Sequence, residues 1–137
     1  MSTPSVSADG NFNIPEGTSL LRYSSWKKWG VDKKAVKTVT IPESVTTIGV
    51  VAFRKCSSLA SITIPNSVTA IGDRAFYGCR SLTSIAIPDG VTTIGRLAFY
   101  GCSSLACIII PDSVTTIADH AFYGCRSLTS IAIPDGV

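Results

Sequence analysis

The side chains best suited to chemistry recur at a fixed spacing. Cys56, Cys79, Cys102 and Cys125 lie 23 residues apart. A zinc site needs donors arranged around one point, whereas cysteines at one position of successive repeats fall into a single column. A disulfide between neighbours needs converging Cβ vectors, and stacked equivalents point the same way. The column therefore reads as small buried thiols, each within reach of a neighbouring backbone group. Cys107 sits at a different position in its unit and is expected at the surface, as a reactive or crosslinkable thiol. His120 is the only histidine, and Asp119 precedes it. A catalytic triad also needs a nucleophile held against the base, and no serine is marked for that role. His120 reads as an exposed turn residue. Glycine-rich phosphate loops are absent. Glu43, Asn66, Asp89, Asp112 and Asp135 each follow a proline. Asp and Asn there bond their own turn backbone, and as a row they offer at most a weak calcium site. The reading is a non-enzyme with no metal and no cofactor.

Two groups of residues suit binding instead. Tyr77, Tyr100 and Tyr123 share one repeat position, and Arg80 and Arg126 share another three residues on. Tyrosine and arginine are favoured at interface hot spots, so these five make a candidate ridge. The second group is Thr83, Ser84 and Ala86, followed one unit later by Ala106, Cys107 and Ile109. These alternate with buried positions of a strand and should point outward. Ile109 with Cys107, Ala106, Ala86 and Ala132 makes an apolar patch on an otherwise polar face, and such patches mark interaction sites.

The elements that place these residues come from one 23-residue unit, clearest from Leu82 to Ser104. It starts again at Val36, Leu59 and Leu105, with a fragment from Leu128. A fixed period of this length is the signature of a solenoid. Positions 4 and 6 are Val or Ile, as in Ile85 and Ile87, and alternate with small residues. That is a half-buried strand. Position 7 is always proline, which ends the strand and opens a turn. Val-Thr-Thr-Ile at positions 10–13 is β-branched throughout and reads as a second short strand. Ala-Phe-Tyr-Gly-Cys at 17–21 is too short for an independent helix. It is expected to form one helical turn that ends at Gly78, Gly101 or Gly124, with Lys55 in the glycine's place in the first unit. Paired threonines such as Thr92 and Thr93 are expected to point to opposite faces, and Ala70 interrupts their row. The fold class is a mostly β repeat solenoid, with parallel strands and short helical or 3-10 turns, stabilised by stacking between neighbouring coils.

Three segments follow. Residues 1–8 read as a flexible N-terminus. Residues 9–35 read as a degenerate capping repeat, and 36–137 as four repeats and a partial fifth. In the capping repeat Phe12 and Ile14 fall at positions 4 and 6, Leu21 at 13, Trp26 at the Phe position and Trp29 at the Cys position. Thr18 to Gly30 also reads as a short helix, with Gly30 at its C-terminal cap. The chain stops in mid-unit at Val137, and Ala75–Val91 repeats identically as Ala121–Val137. The array is therefore expected to continue in a longer parent, or to stack end to end as a homo-oligomer.

Composition bounds the partners. Of 137 residues, 45% are hydrophobic and 15% charged, with net charge +3. The excess lies within residues 1–37, whereas the repeats are neutral and carry no basic stripe. General nucleic-acid binding is thereby disfavoured. No apolar run has the ~20 residues of a membrane span, so membrane insertion is not expected. No signal peptide is visible at the N-terminus, which points to the cytoplasm.

The pattern L-x-x-I-x-I-P-x-x-V-T-x-I-G-x-x-A-F-x-x-C resembles the BspA-like leucine-rich-repeat family, of treponemal type, closely over 36–137 and loosely over 9–35. Ala118 departs from it where Gly49, Gly72 and Gly95 match. The resemblance implies a right-handed leucine-rich-repeat coil. It also implies an extracellular or cell-surface module for binding or adhesion to a protein ligand, and no enzyme.

Overall fold

A computed structural model describes residues 4–137. Each repeat makes one coil with three sides. On the first side run β1 (Asn11–Asn13), β3 (Thr38–Thr40), β5 (Ser61–Thr63), β7 (Ser84–Ala86) and β9 (Cys107–Ile109). On the second run β2 (Leu20–Leu21), β4 (Thr47–Ile48), β6 (Ala70–Ile71), β8 (Thr93–Ile94) and β10 (Thr116–Ile117). All ladders between these strands are parallel. Proline before each corner and β-branched residues after it explain this division. The second strand is shorter than expected, because only positions 12 and 13 pair. At position 11 the Thr69 and Thr92 amides donate to Thr46 and Thr69 carbonyls of the coil below, at 2.9 and 3.0 Å. These residues sit in the corner, so Thr92 and Thr93 are both exposed rather than on opposite faces.

The second side is one continuous sheet in the order β2-β4-β6-β8-β10. The first side is divided into β1-β3-β5 and β7-β9. The amide that leads into β7 makes a longer bond than its equivalents at this break. Thr83 donates to Ala60 at 3.4 Å, whereas the equivalent bonds of Lys37, Ala60 and Ala106 are 2.8–2.9 Å.

The third side replaces the expected helical turn by a series of tight turns. Ala75, Tyr77 and Cys79 donate three residues back, to Gly72, Arg74 and Phe76. The intervening amides of Arg74, Phe76 and Gly78 donate up the axis, to Arg96, Ala98 and Tyr100, at 2.7–2.9 Å. A helix would spend its amides on its own carbonyls, so this alternation frees every second amide to bond to the next coil. It needs left-handed backbone at two positions per coil. Gly78, Gly101 and Gly124 supply one cheaply, with Lys55 taking the same conformation at φ 59°. The other falls on Val51, Arg74, Leu97 and His120, at φ 53–57°.

Every coil sends the same residues inward. Phe53, Phe76 and Phe99 are fully buried and stack with Phe122 at 5.1, 5.2 and 5.4 Å, within 6° of parallel. Leucine, isoleucine and valine columns flank them. Close approach at the second corner needs glycine, since a Cβ on Gly95 would lie 2.5 Å from the Asp73 amide. Nothing in the structure explains why Ala118 is accepted at the equivalent place.

The N-terminal register is as expected. Phe12 pairs with Val39 and Leu21 with Ile48. The helix is shorter than Thr18–Gly30, because β2 occupies the start of that stretch. It is α1 (Tyr23–Trp29), closed by Gly30 at φ 65°. Trp26 packs on Phe53 at 5.7 Å and so closes the phenylalanine column. Trp29 packs against Phe12 and Trp26. A 3-10 turn at Lys33–Ala35 absorbs the longer spacing of this unit. Of the N-terminal segment expected to be flexible, residues 1–3 lie outside the described residues, and Val6 bridges Phe12.

Candidate functional site

The cysteine column is structural in its geometry. The thiols of Cys79, Cys102 and Cys125 donate to the carbonyls of Phe53, Phe76 and Phe99 in the coil below, at 3.1–3.2 Å. Burial pushes Cys56 and Cys102 up to about 12 and Cys125 to about 11, and holds Cys79 well above the ordinary range. The thiolate, which is the reactive and metal-binding form, is thereby suppressed. All five thiols are free, and Cys107 alone is exposed. His120 is exposed beside Tyr123, at 5.7 Å edge to face. Among the described residues, no three of His, Cys, Asp and Glu gather as a metal site, and no helix is long and apolar enough to cross a membrane.

The structure brings the candidate binding residues together as two separate surfaces. On the first side, Thr83, Ser84 and Ala86 stand beside Ala106, Cys107 and Ile109, all exposed, on the two-stranded sheet β7-β9. Ile109 is 62% exposed, directly opposite Ala86. Strand alternation explains this: Ile85 and Ile108 turn inward, so their neighbours turn outward. Ala132 is exposed in the next coil, but residues 128–133 form no strand there.

On the third side, Tyr77 stacks on Tyr100 at 4.8 Å and Tyr100 on Tyr123 at 5.3 Å. Arg54 occupies the same column in the first full coil, with its guanidinium 5.6 Å below the Tyr77 ring. Arg80 and Arg126 lie alongside, both exposed. This surface faces a different direction from the β7-β9 patch, so the two do not form one site.

The sequence reading missed a third surface. Tyr23 and Val50 are 48% and 57% exposed at the corner between α1 and β4, with Leu20 and Val51 beside them. Its signal was Val50-Val51, where other coils carry charged residues at one or both of these positions. Polar termini were also missed. The Trp26 indole donates to Ala52 O, and Lys33 Nζ donates to Arg54 O at 2.8 Å. These are third-side carbonyls of the lowest full coil, where the coil above uses the same positions to accept amides from below.

The family model for the BspA-type leucine-rich repeat region matches residues 32–137, in six copies. The chain belongs to the BspA-type leucine-rich repeat family. Among solved structures, this BspA-type chain is similar to a leucine-rich repeat protein of T. pallidum, at 31% identity and a TM-score of 0.84, over 93% of this chain and 60% of that one. It is similar to a leucine-rich cell surface protein of Faecalibacterium prausnitzii, at 28% identity and a TM-score of 0.61, over 96% and 46% of the two chains. The pneumococcal vaccine antigen PcpA shares the fold, at 24% identity and a TM-score of 0.62, over 94% and 35%. The chain thus spans less than two thirds of each of these proteins. No curated protein matches it significantly.

Proposed function

We propose that this chain is a non-enzymatic protein-binding or adhesion module, part of a larger surface or secreted leucine-rich-repeat protein, and that it docks its partner on the face of β7-β9. The observation that carries this reading is Ile109, exposed amid Ala86, Ala106 and Cys107 on the β7-β9 sheet. An isolated apolar residue is ordinary, but a contiguous group on a polar face is the usual mark of an interface. Extracellular placement draws support from the F. prausnitzii neighbour, which is described as a cell surface protein.

Affinity capture followed by mass spectrometry tests this. Wild type and Ile109→Lys serve as bait against an extracellular-matrix extract and a cell lysate. A matrix protein retained by wild type and lost with Ile109→Lys is expected. Equal capture by both baits contradicts the assignment to this face.

A second reading, assembly through the C-terminal coil, rests on the amides of His120, Phe122 and Gly124. Among the described residues these have no backbone acceptor, whereas their equivalents below donate to the next coil. Stacking here requires carbonyls, as another coil's lower edge would present. Two such C-terminal coils face to face would oppose donor to donor on this side. On the third side of the lowest full coil, the Ala52 and Arg54 carbonyls are already taken by Trp26 and Lys33. Self-stacking is therefore the weaker reading, and sedimentation velocity is expected to show a monomer.

A further inference from the structure

The third side carries a groove as well as a ridge. One wall is the column Arg54, Tyr77, Tyr100 and Tyr123. The other is the position-22 column Ser57, Arg80, Ser103 and Arg126, and the floor is Gly78, Gly101 and Gly124. The floor is open because these glycines, at φ 72–80°, bring no side chain to it. The groove has a volume of about 510 Å³ below Arg80 and about 410 Å³ above it. Lys34 and Lys55 stand at its N-terminal end. Among the described residues that line it there is no carboxylate. The charged side chains that line the groove are therefore all cationic, which favours an anionic ligand.

Three details select the ligand. First, the backbone of the floor is already used: Gly78 donates to Tyr100 O at 2.7 Å, and Gly101 to Tyr123 O at 2.8 Å. A peptide cannot add as a strand here, because that mode depends on free backbone groups. Second, the ring faces are occupied. Tyr77 is covered by Arg54 below, and the three rings cover one another. Nucleobases bind such grooves by stacking on free aromatic faces, and only the upper face of Tyr123 remains. Third, the second wall alternates hydroxyl, guanidinium, hydroxyl, guanidinium. With coils about 4.8 Å apart, the guanidiniums recur roughly every 10 Å. Tyrosine and serine hydroxyls lie between them. The matching ligand is a linear polymer rich in hydroxyls, with one anionic group on every second unit.

We propose that this groove binds an acidic polysaccharide of alternating neutral and uronate sugars, with its carboxylates on Arg80 and Arg126 and its hydroxyls on the tyrosine and serine columns. A guanidinium fork donates two parallel hydrogen bonds to a carboxylate. This site is separate from the β7-β9 face, and either can fail without the other.

The test is calorimetric titration of the whole chain with a hyaluronan decasaccharide, which carries that alternation. Arg80→Ala/Arg126→Ala is expected to weaken binding about tenfold, as two exposed charge pairs are lost. It should also make binding less sensitive to salt, because two screened charge contacts are lost. Gly101→Asn places a side chain on the floor in a backbone conformation asparagine tolerates, and should reduce binding likewise. Lys28→Ala/Arg96→Ala removes the same charge away from the groove and should leave affinity unchanged. Thermal melts confirm that each variant is folded. Absence of hyaluronan binding by wild type overturns the proposal. So does equal loss in Lys28→Ala/Arg96→Ala, or equally tight binding of polyglutamate or of single-stranded DNA of similar length.

Discussion

Removing one ring from the centre of the phenylalanine column tests the stacking account most severely. Phe99 is fully buried and lies between Phe76 at 5.2 Å and Phe122 at 5.4 Å, both nearly parallel to it. Its backbone is also engaged, since its amide donates to Ala121 O and its carbonyl accepts from the Cys125 thiol. Those bonds hold the coil in place, so collapse around a truncated side chain is limited. Phe99→Ala should therefore cost about 3–5 kcal/mol, transfer and cavity together. For a chain of this size that is roughly 10–20 °C in Tm. Tyr100→Ala is the internal comparison. Tyr100 stacks at 4.8 and 5.3 Å, but on the outside of the coil. Two aromatic contacts of this half-buried ring are worth about 1–3 kcal/mol. Urea unfolding of both variants gives the two losses side by side. A loss for Phe99→Ala no larger than for Tyr100→Ala would show that the column is not the core of the fold.

The remaining predictions concern the thiols and the N-terminal closure. In the unfolded chain the column cysteines ionise near the ordinary value of about 8.5, whereas in the fold burial raises Cys56 and Cys102 to about 12 and Cys125 to about 11. A raised folded value means that the stability is intact below about 8.5 and is lost as pH climbs toward 11–12. The urea midpoint should thus be flat from pH 7 to 8 and fall above about 9. Ellman's reagent on the native protein should titrate one thiol rapidly, Cys107, and all five only after unfolding; four rapid thiols would disprove the buried column. Trp26→Phe keeps the packing but removes the donor to Ala52 O, and should cost about 1–3 kcal/mol in urea unfolding. Lys33→Met, which leaves Arg54 O without its 2.8 Å partner at a half-buried site, should cost about 0.5–1.5 kcal/mol by the same assay.

The repeat itself was legible because one residue type was needed at one place in every coil. Phe, Cys, Pro and Val columns, and the register of Phe12, Leu21 and Trp26, follow from position alone. The third side was less legible. Ala-Phe-Tyr-Gly-Cys has no local signal separating a helical turn from alternating turns, since the choice depends on amides that bond to the next coil. The left-handed residue at position 16 was hidden for a related reason. Val51, Arg74, Leu97 and His120 share no side-chain preference for it, and inter-coil bonds impose it. The break between β5 and β7 has no counterpart in the residue types of those strands. For the surfaces, strand alternation placed Ile109 outward correctly. The glycine floor and its neighbour Lys34 emerged only when coils and N-terminal segment were brought together.

The proposed recognition of a protein through β7-β9 rests on the exposed Ile109. Binding isotherms of wild type and Ile109→Lys on an immobilised extracellular-matrix protein extract, treated to remove glycans, test it most directly. Ile109 is exposed, so the substitution should change stability by no more than about 0.5 kcal/mol, and matched melting curves verify this. The account predicts saturable binding by wild type and at least about tenfold weaker binding by Ile109→Lys, as for loss of an interface hot spot. Superimposable isotherms from two equally stable proteins would contradict it.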